Sequence, residues 1–328
     1  MNIVFAEMPE AAGRDLSIER QHLPAAARIG HFIYRGDRDA LVAACREADA
    51  IVTDYVPFDR AALQGLERCR IISVAATGWD CVDVRAAADQ DIRVSSVGEY
   101  CTDEVADHTL ALLLALNRHL LKYHHQVQTG RDWRWNAVQG VQRLAGQILG
   151  LVGFGRIGQA VCRRALGFGL RVLACDPRVD DETVIRHGAS PADLDALLAE
   201  ADIVSLHCNL DAGNRGLLNR AAFARMRRKP LLLNVARGAL IVEPDLVEAL
   251  DRGLVAGAAL DVLAEDSPDL ARHPLAGRRD VLLTPHVAFY SESSLADLRR
   301  ISVQNVRVFL EGRPHEVFRL VPPPEGAT

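Results

Sequence analysis

The chain has 328 residues, 49% of them hydrophobic and 25% charged, with a formal net charge of −5. That length favours two domains, the composition is that of an ordinary soluble protein, and the negative charge argues against nucleic acid as the main partner. The longest apolar run, 110–116, is too short to span a membrane, and seven scattered cysteines without a CxxC pair or zinc spacing point to reduced thiols in a cytoplasm and to no metal site.

The N-terminal stretch MNIVFAEMPE lacks a basic start, a long apolar core and a cleavage site, so no signal peptide is expected. Apolar runs at 2–5, 29–34, 50–53, 70–74 and 92–94 read as strands, with helical patterns at 38–47 and 60–66 between them. Alternating strands and helices imply a parallel sheet with helices on both faces, so the first hundred residues read as a small α/β domain. The segment VAATGWD, 74–80, follows the fourth run. A loop of small residues there either holds a carboxylate with its amides or is a tight strand-to-helix turn.

Thr102-Asp103-Glu104 starts a long helix, capped by Thr102 or Asp103, with Val105, Thr109, Leu112, Leu113, Leu116 and Leu120 at helical spacing. His108 and His119 lie on it and read as structural or solvated. Trp133 and Trp135 flank Arg134 in a polar stretch, as a subunit contact or as packing.

The most informative stretch is 147–177, QILGLVGFGRIGQAVCRRALGFGLRVLACDP. A buried strand at 148–152 leads into Gly153, Gly155 and Gly158 at GxGxxG spacing. A helix with Ile157, Ala160, Val161 and Ala165 on one face follows, and Gly167 and Gly169 break it. A second strand at 171–175 ends in Asp176. This order is the dinucleotide-binding fingerprint. Gly153 permits the turn, Gly155 lets the backbone approach a pyrophosphate, and Gly158 lets the helix lie close to the strand. The helix N-terminus offers unpaired N–H groups to phosphate. Asp176 can accept both ribose hydroxyls and would repel a 2′-phosphate, which favours NAD over NADP; Arg178, two residues on, pulls the other way.

Beyond it, helices at 194–200, 217–226, 245–250 and 294–310 alternate with strands at 203–207, 231–235, 256–260 and 281–283, giving about six or seven parallel strands. Three strand ends carry chemistry: Asn234-Val235-Ala236-Arg237-Gly238, then Asp261 to Asp266 with three carboxylates, then Thr284-Pro285-His286. Successive carboxyl ends of a parallel sheet line one crevice. An arginine fork suits a carboxylate or carbonyl oxygen, a histidine moves a proton near neutral pH, and a carboxylate behind it fixes its tautomer. Cys208 and Asn209 either line the adenine site or merely end a strand.

The sequence resembles the D-isomer-specific 2-hydroxyacid dehydrogenase family over nearly its whole length, through VGFGRIGQAV, EVADHTLALLLAL, NVARGAL, GAALDV and LLTPH in that family's order. The resemblance implies an α/β protein of two doubly wound parallel-sheet domains. A Rossmann NAD-binding domain, 100–290, would be inserted in a flavodoxin-like substrate domain, 1–99 and 291–328. It implies an NAD-dependent oxidoreductase acting on the CH–OH group of a small D-2-hydroxy acid, phosphoglycerate dehydrogenase-like, cytoplasmic and homodimeric, with hinges near 98–102 and 289–293. Its catalytic residues would be Arg237, Asp266 and His286. Its cofactor contacts would be Gly153, Gly155, Arg156, Ile157, Gly158, Asp176, His207, Cys208, Asn209, Asn214, Val235, Ala236, Asp261 and His286. Its substrate contacts would be Ala75, Ala76, Thr77, Gly78, Arg237, His286 and Phe289.

The departures are specific. The family's acid is usually Glu, twenty-nine residues after the arginine, where this chain has Asp266 preceded by Glu265. Either acid can be the partner of His286, and Asp266 is favoured. The absence of a Gln partner argues against the formate dehydrogenase branch. TPHVAFYSE and LHCNLDAGNRGLLN resemble the C-terminal-binding-protein branch, but that branch has Trp where Phe289 stands and Arg where Val74 stands. The AATG loop is closer to hydroxypyruvate and phosphoglycerate reductases. No regulatory domain is expected after Arg319. The alternative function is an NAD(H)-sensing, corepressor-like binding protein.

Overall fold

The computed structural model describes residues 1–211, 213–265 and 268–322. The chain divides into two compact units, Met1–Tyr100 with Ser291–Thr328, and Cys101–Tyr290. In the first, strands β1 (Asn2–Glu7), β2 (Arg28–Ile33), β3 (Ala50–Thr53), β4 (Ile71–Val74) and β5 (Arg93–Ser96) alternate with helices α1 (Ser17–His22), α2 (Arg38–Cys45), α3 (Arg60–Gln64) and α4 (Val84–Ala88). The second begins with α5 (Thr102–Asn117), α6 (Leu120–Gln128), β6 (Ile148–Val152), α7 (Arg156–Gly167), β7 (Arg171–Cys175), α8 (Asp181–Arg186) and β8 (Ser190–Pro191). It continues through α9 (Leu194–Glu200), β9 (Ile203–Leu206), α10 (Arg220–Arg225), β10 (Leu231–Asn234), α11 (Glu243–Asp251), β11 (Gly257–Leu260) and β12 (Val281–Leu283). Helix α12 (Glu292–Leu310) belongs to the first unit.

The first unit holds a five-stranded parallel sheet in the order β2-β1-β3-β4-β5, the second a seven-stranded parallel sheet in the order β12-β11-β10-β9-β6-β7-β8. Strands covered on both faces read as nearly continuous apolar runs. That is why β3, β4, β6, β9 and β11 are buried at every residue. Short polar residues start the helices: Asp37, Asp59, Asp83, Asp180, Asp193 and Asn219 each accept a hydrogen bond from a backbone amide two or three residues on. Ser291 and Ser294 form a capping box on α12.

Local departures from the sequence expectation have local causes. Helix α5 ends at Asn117, and His119 stands outside it in a left-handed conformation, φ 52°, so only His108 lies on that helix. The residue before α5 is Cys101, whose side chain makes no cap bond, and Thr102 is already helical. The 217–226 helix starts only at Arg220, because Leu218 pairs with Ile241 as an isolated parallel bridge and Asn219 supplies the cap. Among the described residues no helix is long and apolar enough to cross a membrane.

Candidate active site

The second unit's chemistry gathers at the carboxyl ends of its parallel strands. After β6 the chain turns at Gly153, φ 97°, where a Cβ would stand 2.5 Å from the Cys208 amide nitrogen. No other residue type fits that approach. A Cβ on Gly158 would meet the Gly153 carbonyl oxygen at 2.4 Å, which is how closely α7 crosses the strand end. Gly155 differs: a Cβ there would meet nothing within 4 Å. It precedes α7, whose first turn receives no side-chain cap. An uncapped helix N-terminus beside open space is what a pyrophosphate needs, so the residues present fit a dinucleotide.

Asp176 is fixed at the end of β7. Its Oδ2 accepts from the Phe154 amide at 2.8 Å and its Oδ1 from the Arg178 amide at 2.9 Å. Each oxygen retains a lone pair for a ribose hydroxyl. The Arg178 guanidinium bonds Asp211 at 3.2 Å.

After β9, the His207 amide donates to the Val152 carbonyl at 2.7 Å, and Nε2 lies 2.8 Å from Ser205 Oγ. The residue as a whole is half-buried, but Nδ1 is sealed from solvent with no partner among the described residues. Burial pushes the His207 pKa down to about 3, so the ring is neutral, and pushes the Cys208 thiol up to about 11, so it stays protonated. Asn214 shapes the next loop by donating to the Asn209 carbonyl at 2.6 Å.

Strands β10, β11 and β12 are neighbours, so the segments after them are neighbours too. The fully buried Asn234 folds the first: its Oδ1 accepts from the Ala236 amide at 3.0 Å and its Nδ2 donates to the Arg237 carbonyl at 2.9 Å. Arg237 is half-buried, and its Nη1 donates to the Ala236 carbonyl at 2.9 Å. Gly238 seats this turn against the next segment, since a Cβ on it would lie 1.9 Å from the Leu263 carbonyl oxygen. The 263–264 backbone is held again from Glu243, which accepts from the Ala264 amide at 2.7 Å and pairs with His273 at 3.2 Å. Asp266 lies outside the described residues.

Asp261, 1% exposed, organises the histidine segment. Its Oδ1 accepts from the Thr284 hydroxyl at 2.5 Å and the Val287 amide at 2.9 Å, and its Oδ2 from the Ala288 amide at 2.9 Å. Its backbone carbonyl accepts from the His286 amide at 2.7 Å. His286 sits at φ 51°, a left-handed conformation that costs a non-glycine residue about 1–3 kcal/mol and is kept only where the surroundings impose it. The Asp261 bonds impose it. Phe289 stands edge-on to the imidazole, ring centroids 6.1 Å apart.

In the first unit the Ala75 amide donates to the Thr53 carbonyl at 2.6 Å, and Ala76 is buried with its carbonyl accepting from Val97. The Ala75 amide is therefore no donor for a carboxylate; Ala76, Thr77 and Gly78 keep that role as an expectation of the family resemblance. Asn234, Glu243, Thr284 and His108 are parts of the site that sequence reasoning gave no role. A polar residue closing a buried apolar strand, as Asn234 does in LLLN, was the signal available for the first. Among the described residues no group of three or more His, Cys, Asp or Glu side chains is placed to hold a metal.

Residues 110–288 match the family model described as D-isomer specific 2-hydroxyacid dehydrogenase, NAD binding domain. Over 290 residues, 86% of this chain and 88% of the relative, the sequence is 33% identical to a hydroxypyruvate reductase of Blautia hydrogenotrophica. Over 285 residues, 85% of this chain and 88% of the relative, it is 31% identical to a glycerate dehydrogenase of Methylorubrum extorquens. The structure resembles that of a D-lactate dehydrogenase from Aquifex aeolicus complexed with NAD and lactic acid, with a TM-score of 0.86 and 25% identity, covering 98% of this chain and 99% of that one.

Proposed function

This chain belongs to the D-isomer-specific 2-hydroxyacid dehydrogenase family, and from that premise we propose that it interconverts a small D-2-hydroxy acid and its 2-oxo acid through Arg237, His286 and Asp266. It is an NAD-dependent oxidoreductase acting on the CH–OH group of 2-hydroxy acids. The observation that carries the residue assignment is the adjacency of β10, β11 and β12, whose carboxyl ends lead into Arg237, Asp261 and His286.

The glycine turn at 153–158 and Asp176 would hold NAD, which would supply the hydride acceptor or donor for the substrate carbon. Arg237 grips the substrate carboxylate and polarises the carbonyl with its fork of donors. His286 donates a proton to the oxygen as negative charge develops there during reduction, and removes it from the hydroxyl during oxidation. Asp266 steadies the charged imidazole. The Asp261 side chain is buried under the histidine turn that it holds; a contact with the nicotinamide would be its role by family resemblance. Phe289 lines the substrate side of His286 and, by its size, screens the acids that enter.

The alternative of an NAD(H)-sensing corepressor-like protein draws no support from the relatives, which are named as a reductase and dehydrogenases. Those names put hydroxypyruvate and glycerate first among substrates to try. Cytoplasmic location is supported by seven cysteines that all stand as thiols. A homodimer is supported by Trp133 and Trp135, which are 88% and 87% exposed.

The test is NADH oxidation with hydroxypyruvate, glyoxylate, pyruvate and phosphohydroxypyruvate, in wild type and in His286→Ala. Turnover of at least one acid is expected, falling by about 10²–10⁴-fold in the variant. Full turnover in His286→Ala would sink the proton-transfer role.

A further inference from the structure

His108 lies on α5, which packs against β10, β11 and α7. Its Nε2 is 3.2 Å from Thr284 Oγ1 and 3.6 Å from Asp261 Oδ1. The Thr284 hydroxyl has one proton, and it lies on the 2.5 Å bond that it donates to Asp261 Oδ1. The hydroxyl can therefore only accept from His108, so Nε2 of that ring carries hydrogen. Three side chains from α5, the end of β11 and the end of β12 form one directed chain: His108 N–H to Thr284 O–H to Asp261 carboxylate.

The far end of that chain is the histidine turn. The same carboxylate accepts from the Val287 and Ala288 amides, and the Asp261 carbonyl accepts from His286 itself. These bonds hold His286 at φ 51°. If the carboxylate rotates, the amides on both of its oxygens lose their acceptor together. His108 and Thr284 oppose that rotation by fixing Oδ1.

We infer that His108 is a positioning residue for His286, acting through Thr284 and Asp261 to hold the imidazole at the angle proton transfer needs. The inference rests on the proposed acid/base role of His286. It separates His108 from a helix residue that merely packs: its hydrogen-bond donor matters, and its bulk does not.

The test uses the full chain. His108→Phe keeps a ring and removes the donor, His108→Gln restores an N–H near the same place, and Thr284→Val removes the middle link. Thermal unfolding checks that each variant folds. His108→Phe is expected to lower kcat for 2-oxo acid reduction about tenfold while KM for the acid and Kd for NADH stay within twofold. His108→Gln is expected to recover most of that loss. Thr284→Val is expected to lose a similar factor, and the double variant no more than the larger single loss, because the residues act in series. Losses that multiply, no rescue by Gln, or kcat within twofold of wild type in His108→Phe would each overturn the inference.

A second readout does not depend on turnover. In the cofactor-free chain labelled with ¹⁵N-histidine, the His286 ring signals, assigned by their loss in His286→Asn, should shift in His108→Phe and return in His108→Gln. Unmoved signals would overturn the coupling. If wild type reduces no 2-oxo acid, the functional reading fails by itself, and the spectra still decide whether His108 controls His286.

Discussion

The carboxylate of Asp176 is tied to two backbone amides, one on each oxygen, so it cannot swing away from a ligand that reaches the end of β7. With Asp176 at the proposed ribose site, ribose hydroxyls would meet free lone pairs there and a 2′-phosphate would meet a fixed negative charge. Two unit charges 4 Å apart repel by ~1 kcal/mol in water and ~4 kcal/mol at the edge of a protein. A 2′-phosphate carries more than one charge, so the penalty exceeds the ~1.4 kcal/mol that makes a tenfold difference. Arg178 offsets this little, because its guanidinium is already paired with Asp211. Wild type should therefore prefer NADH to NADPH by at least about tenfold in kcat/KM. Asp176→Ser should raise the NADPH-to-NADH ratio by about tenfold or more, since Ser keeps a hydrogen-bonding group and loses the charge. Kinetics with both cofactors check this, and a ratio that stays within twofold of wild type would remove Asp176 from the ribose site.

At the scale of elements, every strand but β8 was readable because each is an apolar run too short for a helix and bounded by polar residues; β8 is two exposed residues and leaves no such pattern. The β6–α7–β7 unit was readable because its glycines answer to backbone contacts a few residues away, such as Gly158 on Gly153. Helix α5 misled in one respect: Leu116 and Leu120 keep helical spacing across the left-handed break at His119, so periodicity alone runs through it. Short or polar helices such as α1, α6 and α8 bury at most one residue each and leave little apolar pattern to find. The strand ends that carry Arg237 and His286 were legible as motifs, but their supports were not. The His108–Thr284 contact joins residues 176 positions apart, and no local pattern encodes that. Helix α6 also makes a prediction. It buries none of its residues, exposes Leu120 and Leu121 at 54% and 56%, and leads into the loop with the exposed Trp133 and Trp135. Large apolar side chains clustered in this way mark an interface, and a second copy of the chain fits it best given the proposed homodimer. Sedimentation should find a dimer in wild type and a shift to monomer in a Trp133→Ser, Trp135→Ser double variant. A dimer untouched by the double change would move the interface elsewhere.

For the molecule as a whole, pH stability follows from groups that bind protons differently in the folded and unfolded chain. His207 has its folded pKa pushed from 6.5 down to about 3 by burial. Between those values the unfolded chain holds a proton there and the folded one does not, so stability is present above pH 6.5 and falls as the pH falls. A tenfold change in proton binding is worth about 1.4 kcal/mol, so moving from pH 7 to pH 5 costs about 1–2 kcal/mol at this half-buried residue. In the first unit the sign reverses. Burial raises the Cys45 and Cys69 thiols from 9.0 to about 12. Their stabilisation is complete below pH 9 and is lost as the pH climbs towards 12, because only the unfolded chain ionises in that window. Stability should therefore peak between about pH 6.5 and 9, with the acid limb set in the second unit and the alkaline limb shared by the two, since burial also raises the Cys162 and Cys208 thiols to about 11. Urea unfolding of the cofactor-free chain between about pH 5 and 10 measures both limbs. His207→Gln should flatten the acid limb by about 1–2 kcal/mol between pH 7 and 5 and leave the alkaline limb as it was. Cys45→Ala should do the reverse. An acid limb of the same slope in His207→Gln would mean that the ring takes up its proton in the folded protein near the ordinary pH, and that the Nδ1 sealed beside the nucleotide-binding turn reaches water after all.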